Sequence, residues 1–258
     1  LNEAAKVNEV TLLLFPDAMN LPSEKDYYAL HNLAIQQCVN LRDRFVIMDV
    51  FHKAEHGNAW KRDVKLLRDM IGATDDLRYA AVYFPRIYTK IDYIYGGDEH
   101  VAIAGIAGIN DLASLKASKN SEYLQAKKAL SDLPMLLPAS PALAGIYAQV
   151  DRSSGVWKAP ANININGAIE PEVLLSNQDQ EGLNVDTIAG KSINAIRKFE
   201  GRGPAIVWGA RTLHGNSYEW RYISVRRFFM MVEESKKKPL NSLWSNRTTV
   251  IHGYGLNQ

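Results

Sequence analysis

The sequence predicts an α/β fold, a parallel sheet covered by helices, continued by a smaller α+β region. Three observations predict it. Short apolar runs at Glu9–Phe15, Arg44–Phe51 and Leu77–Phe84 alternate with two segments of helical periodicity. These runs are continuous rather than alternating, as in strands buried on both faces. The character then changes near Pro160, where Asn162, Ile163, Asn164, Ile165 and Asn166 alternate like a half-buried strand.

The first strand is closed by Pro16, and Ser23 then offers an N-cap for a helix to about Leu41. Tyr27, Leu30, Ala34, Ile35 and Cys38 repeat along it at helical spacing. After the second strand, Asn58–Ile71 reads as a helix with Trp60, Val64, Leu67 and Ile71 on one face and Gly72 as its stop. Pro85 ends the third strand. Strand–helix–strand–helix–strand is the order of a parallel sheet with right-handed crossovers.

Arg86–His100 reads as a hairpin or long loop, with Tyr88, Ile91, Tyr93 and Tyr95 ahead of Gly96-Gly97. Helices are expected at Ala107–Lys116, Ser121–Leu130 and Ala142–Val150, with a Pro-rich connector at Pro134–Pro141. Beyond Pro160, strands are expected at Ala161–Ala168, Val185–Ile196 and Pro204–Gly209. A helix is expected at Trp220–Glu234, with Tyr222, Val225, Phe229 and Val232 as its apolar face. This gives an α/β domain over 1–160, an α+β domain over 161–238 and an unassigned tail over 239–258.

Composition sets limits. The 258 residues are 47% hydrophobic and 22% charged, ordinary values for a chain with a sizeable core. The formal charge of +2 gives no global basic field. The one cysteine, Cys38, excludes an intrachain disulfide and a multi-cysteine zinc site. No apolar run is long enough to span a membrane, and Leu1–Val10 lacks a signal-peptide core.

Gly190-Lys191-Ser192 matches the end of a phosphate-binding loop, but Val185 stands where its first glycine belongs. Gly105 and Gly108 fit a turn and helix start better than a dinucleotide fingerprint. No G-x-S-x-G elbow exists. Asp49 ends a parallel strand, where α/β enzymes place ligands, with His52 and His56 close behind. An α/β hydrolase site near Asp49 and His52 is therefore the alternative reading, and His52 with His56 the weaker metal candidate. The expectation is no catalytic, cofactor-binding or metal site. Between Lys191 and Lys238, eleven Lys/Arg face four Asp/Glu. That imbalance fits an acidic protein partner, a nucleic-acid patch or scattered structural arginines. Arg226 and Arg227 differ by about 100° around a helix, so at least one belongs in a specific pair.

From Pro138 to Ser235 the blocks become specific. They run Ala144-Gly145-Ile146-Tyr147-Ala148, Asp151-Arg152, Gly155-Val156-Trp157-Lys158-Ala159-Pro160-Ala161-Asn162 and Leu183-Asn184. They continue with Ile193-Asn194-Ala195-Ile196-Arg197, Gly201-Arg202-Gly203, Val207-Trp208-Gly209-Ala210-Arg211-Thr212 and Trp220-Arg221-Tyr222-Ile223-Ser224-Val225-Arg226-Arg227. In this order the chain resembles the contractile tail sheath family of phages and contractile injection systems. The resemblance implies a three-layer subtilisin-like sheath domain with a smaller α+β C-terminal domain. It implies a structural subunit, not an enzyme, that polymerises as stacked hexameric rings around an inner tube and contracts to drive the tube through an envelope. It implies no cofactor, no nucleic acid and no membrane span. The implied partners are further copies or related sheath subunits, the inner tube, and baseplate and terminal cap proteins. Assembly would be cytoplasmic, and the mature particle a phage tail, a secretion apparatus or a released injector. Arg197, Arg202, Trp208, Arg211, Trp220, Arg221, Arg226 and Arg227 carry the motif and become candidate interface residues. Some of Arg221, Arg226, Arg227 and Lys236–Lys238 are expected to make salt-sensitive contacts with an adjacent subunit or an acidic tube. The family also implies a longer arm before the first strand and further helix and a linking strand after Ser235, where this sequence departs from it.

Overall fold

The computed structural model describes residues 1–7, 9–52, 59–72 and 75–236. Its centre is a six-stranded mixed sheet in the order β1-β2-β3-β8-β9-β6. The parallel part holds β1 (Leu12–Leu13), β2 (Phe45–Asp49), β3 (Ala80–Phe84) and β8 (Asn194–Phe199). β9 (Gly203–Trp208) returns antiparallel to β8, and β6 (Ile163–Asn164) pairs antiparallel with β9. Every residue of β2 and β3 is buried, as their continuous apolar runs require.

Helices cover both faces. α1 (Asn2–Ala5) is short and is held by fully buried Arg44, which donates to the carbonyls of Ala4 at 2.7 Å and Val7 at 3.2 Å. α2 (Glu24–Leu41) starts where expected, the Ser23 hydroxyl accepting from Asp26 N–H, and ends on Arg42 in the left-handed conformation. α3 (Ala59–Met70) lies on the same face as α2, its Trp60 ring stacked on Phe84 at 5.4 Å. Side chains alternate along a strand, so Tyr83 points the other way, and its hydroxyl meets that of Tyr147 at 2.8 Å. Tyr147 belongs to α6 (Ser140–Ser153), which therefore covers the opposite face. A helix over 223–236, here α8, packs beside it.

A second sheet has the order β5-β4-β7, formed by β5 (Met135–Leu137), β4 (Ile87–Thr89) and β7 (Ala168–Pro171), all antiparallel. Between β4 and β5 the chain makes a satellite of α4 (Leu112–Ser118) and α5 (Asn120–Ser131) around Ile109, Leu112, Leu115 and Tyr123. The remaining helix, α7 (Asn177–Asn184), precedes β8.

The α/β expectation holds, with local corrections. The first strand shrinks to Leu12–Leu13, and Leu77–Tyr79 form a 3-10 turn ahead of β3. α4 begins at Leu112 rather than Ala107, because Asp111 and Ser114 build the capping box there, while Gly105 and Gly108 take positive φ in the turn before it. The connector contains β5. The segment expected as a strand from Val185 starts as the end of α7 and a loop, and pairs only from Asn194. β8 and β9 join the sheet built by the chain before Pro160, and one core runs from Leu13 to Met230. The tail 239–258 lies outside the described residues.

Candidate functional site

The carboxyl ends of β2 and β3 are where an α/β enzyme would gather its chemistry. Asp49 sits there, buried, and its Oδ1 accepts from the backbone N–H of Ala139 at 2.9 Å and Ser140 at 3.1 Å. It is thus a carboxylate held on the N-terminus of α6. Burial pushes its carboxyl up to about 6, against those donors and the nearby Arg86 charge. His52 is turned elsewhere. Its Nδ1 lies 2.6 Å from Asp63 Oδ2, and its Nε2 lies 3.9 Å from Glu172 Oε1. Glu172 is in turn gripped by Arg86 through two bonds of 2.9 and 2.6 Å. Both ring nitrogens thus face carboxylates, and the cluster ties the end of β2 to α3, β4 and the residue after β7. That is a structural tie. His56 lies outside the described residues, and among those described no set of three His, Cys, Asp or Glu side chains could hold a metal.

Lys191 has a structural task. Its Nζ donates to the Arg68 carbonyl at 2.6 Å and to the Ile71 carbonyl, which caps the carboxyl end of α3. Ser192 Oγ donates to the Asn184 carbonyl at 2.6 Å, at the end of α7. The amine and hydroxyl of Gly190-Lys191-Ser192 are therefore occupied, as the missing first glycine foreshadows.

The basic segment separates into two groups. Arg226 is 2% exposed, lies over the rings of Tyr79 (4.6 Å) and Trp220 (4.9 Å), and bonds Glu233 Oε2 at 2.9 Å. Arg227 makes a bidentate pair with Asp151 at 2.8 and 2.5 Å and lies over Tyr147. Trp220 also takes Arg78 at 5.6 Å and the edge of Phe229 at 5.3 Å. Arg197 bonds Asn177 and Gln180 on α7, and Arg211 is anchored by its backbone to Asn194. These side chains close the fold. The second group lies nearer the surface, Arg202 exposed and Arg221 half-buried. Arg202 lies over Phe199 and Trp208 at the β8–β9 tip and bonds Asn162 Oδ1 at 2.6 Å. Arg221 lies between Tyr218 and Tyr222, and its Nε donates to the Ser217 carbonyl.

The expected inner face of α8 is partly its outer one. Tyr222 and Phe229 are exposed, and Ile223, Arg226, Arg227 and Met230 point inward. An apolarity scan misses this because it scores the two arginines as surface. Two further features carry no sequence signal of their own. Ile188 and Tyr218 are 97% and 90% exposed. A cavity of about 460 Å³ opens beside β4 and β5, lined by Met19, Ile87, Leu136, Leu137, Pro138 and Pro141, with Asp17 and Asn20 also on its wall.

No protein-family model and no curated protein sequence matches the chain. Solved structures do. One is the baseplate of the anti-feeding prophage, 6-fold symmetrised, with TM-score 0.59 and 26% identity over 98% of this chain and 54% of that one. The helical sheath of the same particle in its contracted state gives 0.58 and 27% over 94% and 50%. The sheath complex of an extracellular contractile injection system, PVC, contracted, gives 0.57 and 26% over 92% and 49%. The chain spans about half the length of the chains it matches.

Proposed function

We propose, from the premise that this chain is a sheath-family protein of contractile injection systems, that it is a structural subunit of the contractile sheath. It polymerises as stacked rings around an inner tube and shortens to drive that tube through a target envelope. The observation that carries this reading is the match along nearly the whole chain to sheath and baseplate structures at 26–27% identity. On this reading the subtilisin-like description applies to the α/β part over 1–160, and 161–238 is the α+β part, whose described residues add to the same core.

The site chemistry supports the same reading. Asp49, His52, Lys191, Arg226 and Arg227 spend their polar atoms holding elements together, so the subunit moves as a rigid block. The work then resides in contacts between blocks, an assembly with two packings of different free energy. Arg202 and Arg221, which form no ion pair among the described residues, are the motif residues that meet a neighbouring subunit or an acidic tube. The proposed partners are further copies, the tube, the baseplate and a terminal cap, without cofactor or nucleic acid. No helix among the described residues is long and apolar enough to cross a membrane, and the matched structures are parts of contractile particles. Both observations support a mature subunit in such a particle, and cytoplasmic assembly is part of the proposal.

Electron microscopy of the purified full-length protein tests this. Rings or tubes are expected, and a monomer that persists at all concentrations and salt conditions overturns the reading.

A further inference from the structure

Two loops are pinned together at the start of β3. Leu213 N–H donates to the Ala80 carbonyl, Gly215 N–H to the Gly190 carbonyl, and Asn216 Nδ2 to the Asp186 carbonyl, at 2.7, 2.9 and 3.2 Å. Within the first loop, Asp186 accepts from Ile188 N–H and Lys191 N–H, both at 3.2 Å. Gly190 has φ +70°, and a Cβ there would stand 3.0 Å from the Asn216 side chain. A Cβ on Gly215 would lie 1.8 Å from Ser192 Oγ. The loops meet backbone to backbone, and what they present is fixed.

They present apolar side chains to solvent. Ile188, 97% exposed, comes from one loop, and Tyr218, 90% exposed, from the other. Tyr222 and Arg221 stand beside Tyr218, with the guanidinium 4.8 Å from the Tyr218 ring. Arg221 forms no ion pair among the described residues. Ile188 and Tyr218 thus stand on two loops already tied to each other, an exposed apolar knuckle whose backbone is ordered before a partner arrives.

The opposite end of the sheet holds its complement. The cavity beside β4 and β5 lies past the carboxyl ends of the strands: Pro16–Asn20 follow β1, and Arg86–Thr89 follow β3. Met19, Ile87, Leu136, Leu137 and Pro138 make its wall largely apolar, and Arg86, also on the wall, is already paired with Glu172. On the same wall stands Asp17, exposed and without an ion-pair partner among the described residues. The knuckle lies at the Ala80 end of β3 and the cavity beyond its Phe84 end, so about 13 Å of strand separates them. A subunit therefore cannot fill its own cavity.

We infer that the Ile188–Tyr218 knuckle of one copy seats in the cavity of a second copy, with Arg221 meeting Asp17. Knuckle and cavity are different surfaces at opposite ends, so the contact is heterologous. Each copy leaves one of each free, and the contact propagates into a ring or a helical row. This presupposes the self-assembling subunit proposed above and names one of its contacts.

Cysteine cross-linking tests it on the full-length protein. Cys38 is buried and is the single cysteine of these 258 residues, and any cysteine outside them is replaced by serine, so introduced thiols report alone. Ile188→Cys and Asn20→Cys are both exposed positions. Under mild oxidation the double variant should give a ladder of trimers and longer species on a non-reducing gel, and each single variant should stay monomeric. Dimers from Ile188→Cys alone would mean a symmetric contact and overturn the inference. Separately, Asp17→Arg and Arg221→Glu should each raise the concentration needed for assembly about tenfold, and the pair together should restore it. If tubes form but the double cysteine variant gives no ladder and the charge swap no rescue, this contact is wrong and the sheath reading stands. If nothing assembles, the sheath reading fails and this contact with it.

Discussion

Asp49 and His31 are two buried titratable side chains with opposite pH signs. Burial raises the Asp49 carboxyl to about 6, above its unfolded value near 4. The folded state then holds this proton more tightly, so stability falls as pH rises from about 4 to 6. His31 Nδ1–H donates to the Tyr27 carbonyl, 2.8 Å away, and burial outweighs that bond and lowers its ring to about 4. Its unfolded value is near 6.5, so its contribution is intact above that pH and is lost as pH falls toward 4. Each swing is worth about 2–3 kcal/mol, and between pH 4 and 6.5 they largely cancel. Asp49→Asn should therefore make the protein more acid-sensitive than its parent over that window, and His31→Phe less so, with the double variant close to the parent. Denaturant midpoints at pH 4.5 and 7 read this out. An Asp49→Asn profile that parallels the parent would show the carboxyl to be ordinary. The sequence singles out Asp49 by its place at a strand end. Its role as an anchor for α6 depends on Ala139 and Ser140, ninety residues away, which no local pattern announces.

α8 illustrates what periodicity reveals about an element and what it conceals. Its existence follows from apolar residues at three and four, and α2 is equally plain from Ser23 and its repeat. Its orientation does not follow, because the inward face is completed by guanidiniums stacked on aromatic rings rather than by aliphatic side chains. α7 and β8 are misread for a related reason. Lys191 and Arg68 cap the neighbouring helices α3 and α7 across more than a hundred residues, which fixes 185–193 as a loop despite its strand-like composition. The lock between α8 and α6 can be measured. Arg227→Ala and Asp151→Ala each leave a largely buried charge unpaired and should cost about 2–4 kcal/mol, with the double variant costing less than the sum by about 1–2 kcal/mol. Arg226→Lys keeps the charge but loses the planar stack on Tyr79 and Trp220, and should also destabilise. Arg221→Ala should change the monomer's stability by under about 0.5 kcal/mol, in keeping with an outward role. Thermal or denaturant unfolding of the five variants decides, and additive losses at 151 and 227 would dismiss the lock.

At the scale of the whole molecule, the division that matters is between two cores. The main core runs from Leu13 to Met230, while the satellite between β4 and β5 buries only Ile109, Leu112, Leu115 and Tyr123. Its helices are legible in the sequence. Their separateness is not, because a hydrophobic repeat tells that a face is buried but not against what. The satellite is fastened by a polar knot: the Tyr123 hydroxyl donates to Asp98 at 2.8 Å, and Lys127 to Asp98 at 3.2 Å and to the Tyr95 hydroxyl at 2.5 Å. So small a core sets a low local free energy of opening, whereas β2 and β3 open only when the whole sheet does. Native-state hydrogen exchange should therefore find α4 and α5 amides exchanging through a sub-global opening, well before those of Phe45–Asp49 and Ala80–Phe84. Leu112→Ala removes one of four buried side chains at a cost of about 2–4 kcal/mol. It should strip protection from 102–131 while leaving the two central strands as slow as in the parent. Equal loss of protection in both regions would mean that the satellite and the sheet are one cooperative unit. A satellite that opens alone leaves the main core with its shape while the periphery yields, which is what the proposed sheath role asks of a subunit.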